Sequence, residues 1–252
     1  MLEKIQRILD DYQPVSLEEI ESVKLMNRLD TKYIVSTETM MNILHQLSND
    51  YMLLEINSQR FGQYSSIYYD TIDFQMFHAH ITSRYPRFKV RERTYSQNGM
   101  QFLEVKRKKI TGRTSKKRLS LLGKTGFDDT KYNFVADYSP FCMKNLQPQL
   151  HNQFNRITLI NKDRTERLTF DFDLQFRSFN GNATPIIKNA AIIEVKQNKR
   201  TGSVITRMLR DENIRPCGMS KYCVGMLLIH NHLNHKMYQT KFVKFKKIAQ
   251  WV

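Results

Sequence analysis

The sequence predicts an α+β fold built around an antiparallel sheet. Three observations point there. Five stretches alternate charged with apolar residues: Arg28 to Lys32, Lys89 to Arg93, Glu104 to Lys106, Arg167 to Asp173 and Glu194 to Lys196. In a strand, side chains two apart share a face, so each stretch has one charged face and one largely apolar face. Turn residues stand where hairpins would reverse, at Ser96-Gln97-Asn98-Gly99 and at Thr111-Gly112. Apolar stripes at helical spacing, several behind a capping serine, separate the strands.

Residues 1–12 place Ile5, Ile8 and Leu9 on one side of a short helix. Ser16 and Glu19 form a capping box, Val15 can staple onto Ile20, and a second helix is expected from Leu17 to about Lys24. Arg28 to Val35 reads as a strand, and Ser36 then caps a helix with the stripe Met40, Ile43, Leu44 and Leu47. Tyr51–Ile56 and Gln63–Tyr69 are expected strands, and Ile72–Ile81 a short helix. Arg87–Tyr95 and Met100–Lys109 make a hairpin, and Arg113–Leu121 is a further basic strand. A helix is expected around 134–146, with a break at Pro148. Strands resume at Arg156–Asn161, Glu166–Phe176 and Ile186–Gln197, with Gly181 and Pro185 marking the loop before the last. Ser203 caps a helix to about Asp211, and Ser220 a final one through His230.

Roughly eight to ten strands result. Their apolar faces carry Phe88 and Val90; Leu103 and Val105; Leu168, Phe170 and Phe172; and Ile193 and Val195. The helices can cover these, leaving an unusually charged wet face. An open sheet with that face in water satisfies the pattern. So does a barrel closed around a polar cavity. Periodicity does not choose between them.

The 252 residues carry a formal net charge of +16, which calls for a polyanionic partner: nucleic acid, an anionic membrane or a phosphorylated substrate. Composition alone favours nucleic acid. However, RNA read on a sheet needs aromatics among the cations for base stacking, and only Tyr95 and Phe102 qualify. Cys142, Cys217 and Cys223 lack paired spacing and read as reduced thiols of a cytoplasmic protein. The N-terminus is too polar for a signal peptide, and no apolar run approaches the roughly 20 residues that span a bilayer.

The strand faces collect Arg28, Lys32, Lys89, Arg91, Arg93, Lys106, Lys108, Arg156, Arg167 and Lys196, with Lys117 or Arg118 from the strand at 113–121. Arg offers bidentate donors to phosphate oxygens and Lys a compact charge. Glu104, Asp171, Asp173 and Glu194 share those faces and are oxygen donors of the kind that hold Mg2+ or Mn2+. Gly123-Lys124-Thr125 lacks the earlier glycine of a phosphate-binding loop, where Arg118 stands instead. His78/His80 and His230/His232 lack the acidic or thiol partners of a zinc site, and no nucleophile motif of a hydrolase is present.

An ordered series of motifs then stands out. It runs Arg28-Leu29-Asp30-Thr31-Lys32-Tyr33, Tyr69-Asp70-Thr71 with Asp73, Lys89 to Arg93 with Tyr95, Leu103-Glu104-Val105-Lys106, and Gly112 to Arg118. Arg156 before a strand, Ile193-Glu194-Val195-Lys196 and Ser220-Lys221-Tyr222 complete it. In this order the chain resembles the VTC domain, the polyphosphate-polymerase branch of the CYTH or triphosphate tunnel metalloenzyme superfamily. The resemblance implies an antiparallel β-barrel tunnel with helices packed outside. One domain would cover 1–252: N-terminal helices in 1–27, barrel and helices in 28–230, and a basic segment in 231–252. It implies transfer of the ATP γ-phosphate to a growing polyphosphate chain, with Mn2+ or Mg2+.

Carried over by position, Lys32, Arg91, Arg93 and Lys106 take catalytic roles. Lys117 or Arg118, Arg156 and Lys221 grip phosphates, joined from the strand faces by Arg28, Lys89, Lys196 and Arg167 (or Arg164). Glu194 is the metal ligand, and Glu104, from the strand faces, is a further candidate ligand. Hydrolytic and cyclase members of the superfamily begin with Glu-x-Glu-x-Lys, whereas this chain has Arg28 and Asp30 ahead of Lys32. Losing a metal-binding carboxylate favours holding the anion over hydrolysing it. A metal-dependent triphosphatase and a silent polyphosphate-binding module are the alternatives. The expected partners are ATP and inorganic polyphosphate or triphosphate, with no nucleic acid, and a membrane partner protein for any export. The basic C-terminal segment, with Phe242, Phe245 and Trp251, either packs on the outside or meets an anionic surface.

Overall fold

The computed structural model describes residues 1–22, 29–122, 129–179, 186–198, 202–230, 232–233 and 236–250. The chain opens with α1 (Leu2–Asp10), β1 (Pro14–Val15) and α2 (Leu17–Ser22). The capping box forms: Glu19 N donates to Ser16 Oγ at 3.2 Å, and Ser16 N to Glu19 Oε2 at 2.9 Å. Val15 and Ile20 share a small apolar cluster, as the staple requires. Next come β2 (Leu29–Ser36), α3 (Thr37–Leu47), β3 (Tyr51–Leu54), β4 (Gly62–Asp70) and α4 (Gln75–Ile81). Ser36 caps α3 through Thr39 N, and Met40, Ile43, Leu44 and Leu47 are buried. The hairpin of β5 (Arg87–Tyr95) and β6 (Gln101–Lys108) turns through Gly99 at φ +66°, and β7 (Thr114–Ser120) follows. The chain then forms α5 (Asp129–Tyr138), β8 (Gln147–Asn161), β9 (Glu166–Arg177), β10 (Ile186–Ile187), β11 (Ala190–Gln197), α6 (Val204–Asp211), α7 (Lys221–Ile229) and α8 (Gln239–Ala249).

Four expectations about single elements need correction. The helix expected at 134–146 lies earlier, at Asp129–Tyr138. Pro148 does not break the chain: it sits next to the start of β8, where a strand tolerates a missing donor, and pairs in register with Tyr69. The segment Ile186–Gln197 splits because β10 pairs with Leu174–Gln175, whereas β11 pairs with Glu166–Asp171 of the same strand. Helix α7 is not the last; α8 follows and buries Phe245 and Ala249. Gly181, Pro185 and the Gly123-Lys124-Thr125 stretch lie outside the described residues.

The sheet runs β2-β11-β9-β8-β4-β5-β6-β7, with every neighbour antiparallel. β3 adds to β8, and β1 pairs parallel with β3. The expected closed barrel is not made by hydrogen bonds: β2 and β7 end the path, and no pairing joins them among the described residues. One face of the sheet is dry. Leu168, Phe170, Phe172, Ile193 and Val195 pack with α1, α3 and α6, while Phe88, Val90, Leu103 and Val105 pack with Val135 of α5.

Not every helix is outside that sheet. Tyr222, Cys223, Val224 and Met226 of α7 pack on Ile34, Leu150, Phe154, Leu174, Phe176 and Ile192, which point to the opposite, inner face. Gly225 makes this possible: a Cβ there would stand 2.6 Å from the Phe176 ring and 2.7 Å from Leu150. Helix α7 therefore fills one end of the inner face, and the charged residues occupy the rest. Among the described residues no helix is long and apolar enough to cross a membrane.

Candidate functional site

Three carboxylates organise the inner face, Glu104 and Asp171 buried and Glu194 partly buried, each gripped by two cations. On β2 and β11, register places Lys32 opposite Glu194, and Lys32 donates to Glu194 Oε1. Lys196, two residues along, donates to Oε2 at 2.5 Å. On β8 and β9, Arg156 Nε and Nη2 hold both Asp171 oxygens at 2.5 and 2.7 Å, and Lys221 at the start of α7 also donates to Oδ2. On β5, β6 and β7, Arg91 Nε and Nη2 meet Glu104 Oε2 at 2.8 and 2.6 Å, and Lys116 meets Oε1 at 3.0 Å. Around these clamps, Arg91 Nη1 donates to Tyr68 Oη at 2.9 Å, Arg93 Nε to Ser66 Oγ at 3.1 Å and Lys89 Nζ to Ser220 Oγ at 2.7 Å.

Burial opposes ionising the carboxylates, but the cations prevail. Arg91 and Lys116 hold Glu104 down at about 2, Arg156 and Lys221 hold Asp171 well below the usual range, and Lys196 and Lys32 do the same for Glu194. The cations are strained in the other direction. Burial, and Arg156 nearby, push Lys196 and Lys221 down to about 8 despite their carboxylate partners. Lys106 is also pushed down to about 8, by the groups crowded around it and by the charges of Lys89 and Arg91. Its side chain remains exposed, so water screens it more than the other two.

Lys106 on β6 feels Lys32 on β2 and Glu194 on β11, and Lys89 on β5 feels Lys32 as well. Strands at opposite ends of the sheet thus share one interior, which requires a strongly curled sheet. Rings line it. Arg156 lies 4.8 Å over Tyr64, and Lys221 lies 4.2 Å over Phe154. These aromatics stand on β4 and on the first half of β8, where no alternation of charge marks them in the sequence. The alternation Tyr64, Ser66, Tyr68 on β4 was the available signal.

The inner face brings together Lys32, Lys89, Arg91, Arg93, Lys106, Arg156, Lys196 and Lys221 with Glu104 and Glu194. Arg167 pairs in register with Lys196 and shares its face. The choice between Lys117 and Arg118 resolves by register: Arg118 faces inward opposite Glu104, whereas Lys117 lies on the other face, 5.4 Å over the Tyr138 ring of α5. Arg164 sits on the exposed turn after β8 and bonds Glu19, away from the cluster. Arg28 lies outside the described residues.

Lys116 was missed, although its spacing of two from Arg118 puts it on the same face. Asp70 and Tyr222 prove to be structural. Asp70 accepts from the backbone N of Thr71, Met76 and Phe77 and from Tyr222 Oη, tying β4 and α4 to α7. Glu104 and Glu194 belong to different clamps, and no group of three or more His, Cys, Asp or Glu could hold a metal among the described residues.

The inner face of the curled sheet thus gathers more cations than carboxylates, an arrangement suited to an anion. The sequence profile of the VTC domain matches residues 27–230, and the chain belongs to that family. No curated protein sequence matches it. Among solved structures, a Bacillus halodurans protein provisionally assigned as an adenylate cyclase aligns with a TM-score of 0.50 at 16% identity, over 77% of this chain and 96% of that one. A provisional adenylyl cyclase from Hippeastrum, described as having dominant triphosphatase activity, aligns with a TM-score of 0.48 at 14% identity, over 82% and 99%. At such identities the likeness concerns the fold.

Proposed function

We propose that the chain is a polyphosphate polymerase, moving the γ-phosphoryl group of ATP onto a phosphate chain held along the inner face of the sheet. The observation that carries this reading is the set of three clamps, in which six cations outnumber three carboxylates while Lys89, Arg93 and Lys106 add further charge. Family membership supports an enzyme acting on polyphosphate or triphosphate, and Arg28 and Asp30 ahead of Lys32 favour retention over hydrolysis.

Each carboxylate serves as an internal counter-ion until a phosphate chain takes over its cations. Arg156 and Lys221 at Asp171, and Lys32 and Lys196 at Glu194, then bind phosphate oxygens. Arg91, Arg93 and Lys106 neutralise the charge that develops on the transferring group. The bond from the γ-phosphorus to the bridging oxygen breaks as a terminal phosphate oxygen of the chain bonds to that phosphorus. ADP leaves, and the chain is one phosphate longer. The attacking oxygen is already anionic, so no protein base is required. A divalent ion, Mn2+ or Mg2+, supplies further charge neutralisation when bound. Glu194 is a single carboxylate and fits an ion that brings most of its ligands as phosphate oxygens and water, rather than one caged by protein.

Incubating the purified protein with ATP and Mn2+ tests the reading: acid-labile phosphate polymer is expected. Arg91→Ala and Glu194→Ala should each cut its yield by roughly a hundredfold, the scale of losing one transition-state contact. Unchanged yields would remove both assignments. Phosphate release from tripolyphosphate without polymer from ATP would instead assign a hydrolase.

A further inference from the structure

Helix α8 lies beyond the stretch that the family profile matches, and its charge is one-sided. From Asn213 to Val252 the sequence contains Arg215, Lys221, Lys236, Lys241, Lys244, Lys246 and Lys247 and no Asp or Glu. The helix is anchored by Phe245, which is fully buried in the cluster that α7 also enters. Its attachment is continuous with the inner face. Lys89 Nζ donates to Ser220 Oγ, and Ser220 N donates to Tyr238 Oη at 2.9 Å, just ahead of α8. Lys241 Nζ lies 5.3 Å over the Tyr238 ring, and a Cβ on Gly218 would stand 3.9 Å from it. One turn further along α8, Lys244 Nζ donates to Arg215 O at 3.3 Å, bringing the exposed Arg215 beside it. A chain of contacts thus links Lys89 within the cluster, through Ser220 and Tyr238, to Lys241, and Lys244 with the backbone of Arg215 lies beyond.

We propose that Lys241, Lys244 and Arg215 form a second anion subsite, which takes the part of an inorganic polyphosphate chain projecting beyond the inner face. This rests on the polyphosphate reading above. The occupant follows from continuity with Lys89 and from charge: a polyanion long enough to run from the inner face to α8 contacts both sites at once. Simultaneous engagement makes the second contact intramolecular, so long chains gain affinity that short ones do not.

Isothermal titration of the full chain with tripolyphosphate, and with polyphosphate of about a hundred units, tests this against Lys241→Gln/Lys244→Gln. Wild type should bind the long chain at least tenfold more tightly per chain end. The double variant should lose most of that advantage and show a shallower salt dependence, with its tripolyphosphate affinity unchanged. An equal loss for both ligands, or no loss for either, would overturn the subsite. Absence of tripolyphosphate binding in wild type would instead overturn the polyphosphate reading itself. Sedimentation with phosphatidylserine vesicles that the double variant abolishes, without any change in long-chain affinity, would reassign the surface to a membrane. Lys241→Arg/Lys244→Arg, which keeps the charge, should restore long-chain binding.

Discussion

Lys116 and Lys117 are adjacent in sequence, yet the pleat separates their roles. Lys116 bonds Glu104 on the inner face, whereas Lys117 covers Tyr138 on the outer one. Lys116→Ala should weaken tripolyphosphate binding about tenfold, the cost of one charge-assisted contact, and Lys117→Ala should change it less than about twofold. Titration of both variants checks the order, and a larger effect at Lys117 would reverse the register argument. Asp171 offers a second single-residue test. Asp171→Asn leaves Arg156 and Lys221 crowded together, which should cost about 3 kcal/mol or more in anion-free stability. Tripolyphosphate should recover much of that loss, because phosphate replaces the missing charge. A melting curve on which the anion has no effect would contradict the counter-ion role.

Helix α7 joins the apolar packing to the charged site: its first residue, Lys221, enters the Asp171 clamp, while Tyr222 bonds Asp70 and Gly225 lets the helix lie against Phe176 and Leu150. Gly225→Val should cost roughly 1–3 kcal/mol by overpacking and weaken phosphate binding as well, because it displaces Lys221. Lost stability with intact binding would place Lys221 outside the site. Most elements were legible in the sequence. Alternation gave the strand faces at Lys89–Arg93 and Glu194–Lys196, and serine caps gave α3 and α7. The start of β8 was not, because Pro148 reads as a break and only tertiary pairing with β4 overrides it. Nor was the placement of α7 on the inner face, which is set by the volume left beside Gly225 and not by any local pattern. The cations of the site were legible one strand at a time. Their arrangement into three clamps was not, because it depends on register between strands far apart in sequence.

Over the whole molecule, burying so much like charge gives opposite pH slopes for stability and for binding. Lys196 and Lys221 lose their protons at about 8 in the folded chain, against roughly 10.4 when free. Between those values the unfolded chain binds protons that the folded chain has lost, so anion-free stability should rise with pH. Tyr68, held at about 8 by the charges of Arg91, Arg93 and Lys89 against its burial, contributes in the same direction. Over the same range tripolyphosphate affinity should fall about tenfold or more as those lysines become neutral. Melting curves and titrations from pH 7.5 to 9.5 check both signs, and parallel slopes would contradict the account. At neutral pH, tripolyphosphate at about a hundred times its Kd should raise Tm by roughly 5–10 °C.

In the proposed reaction a phosphate chain takes over cations now held by Glu104, Asp171 and Glu194. A crystal structure with tripolyphosphate tests it most directly. Phosphate oxygens should lie within hydrogen-bond distance of Arg91, Arg156, Lys221, Lys32 and Lys196, with the carboxylates released from at least one clamp. Tripolyphosphate bound elsewhere, with all three clamps closed, would contradict it.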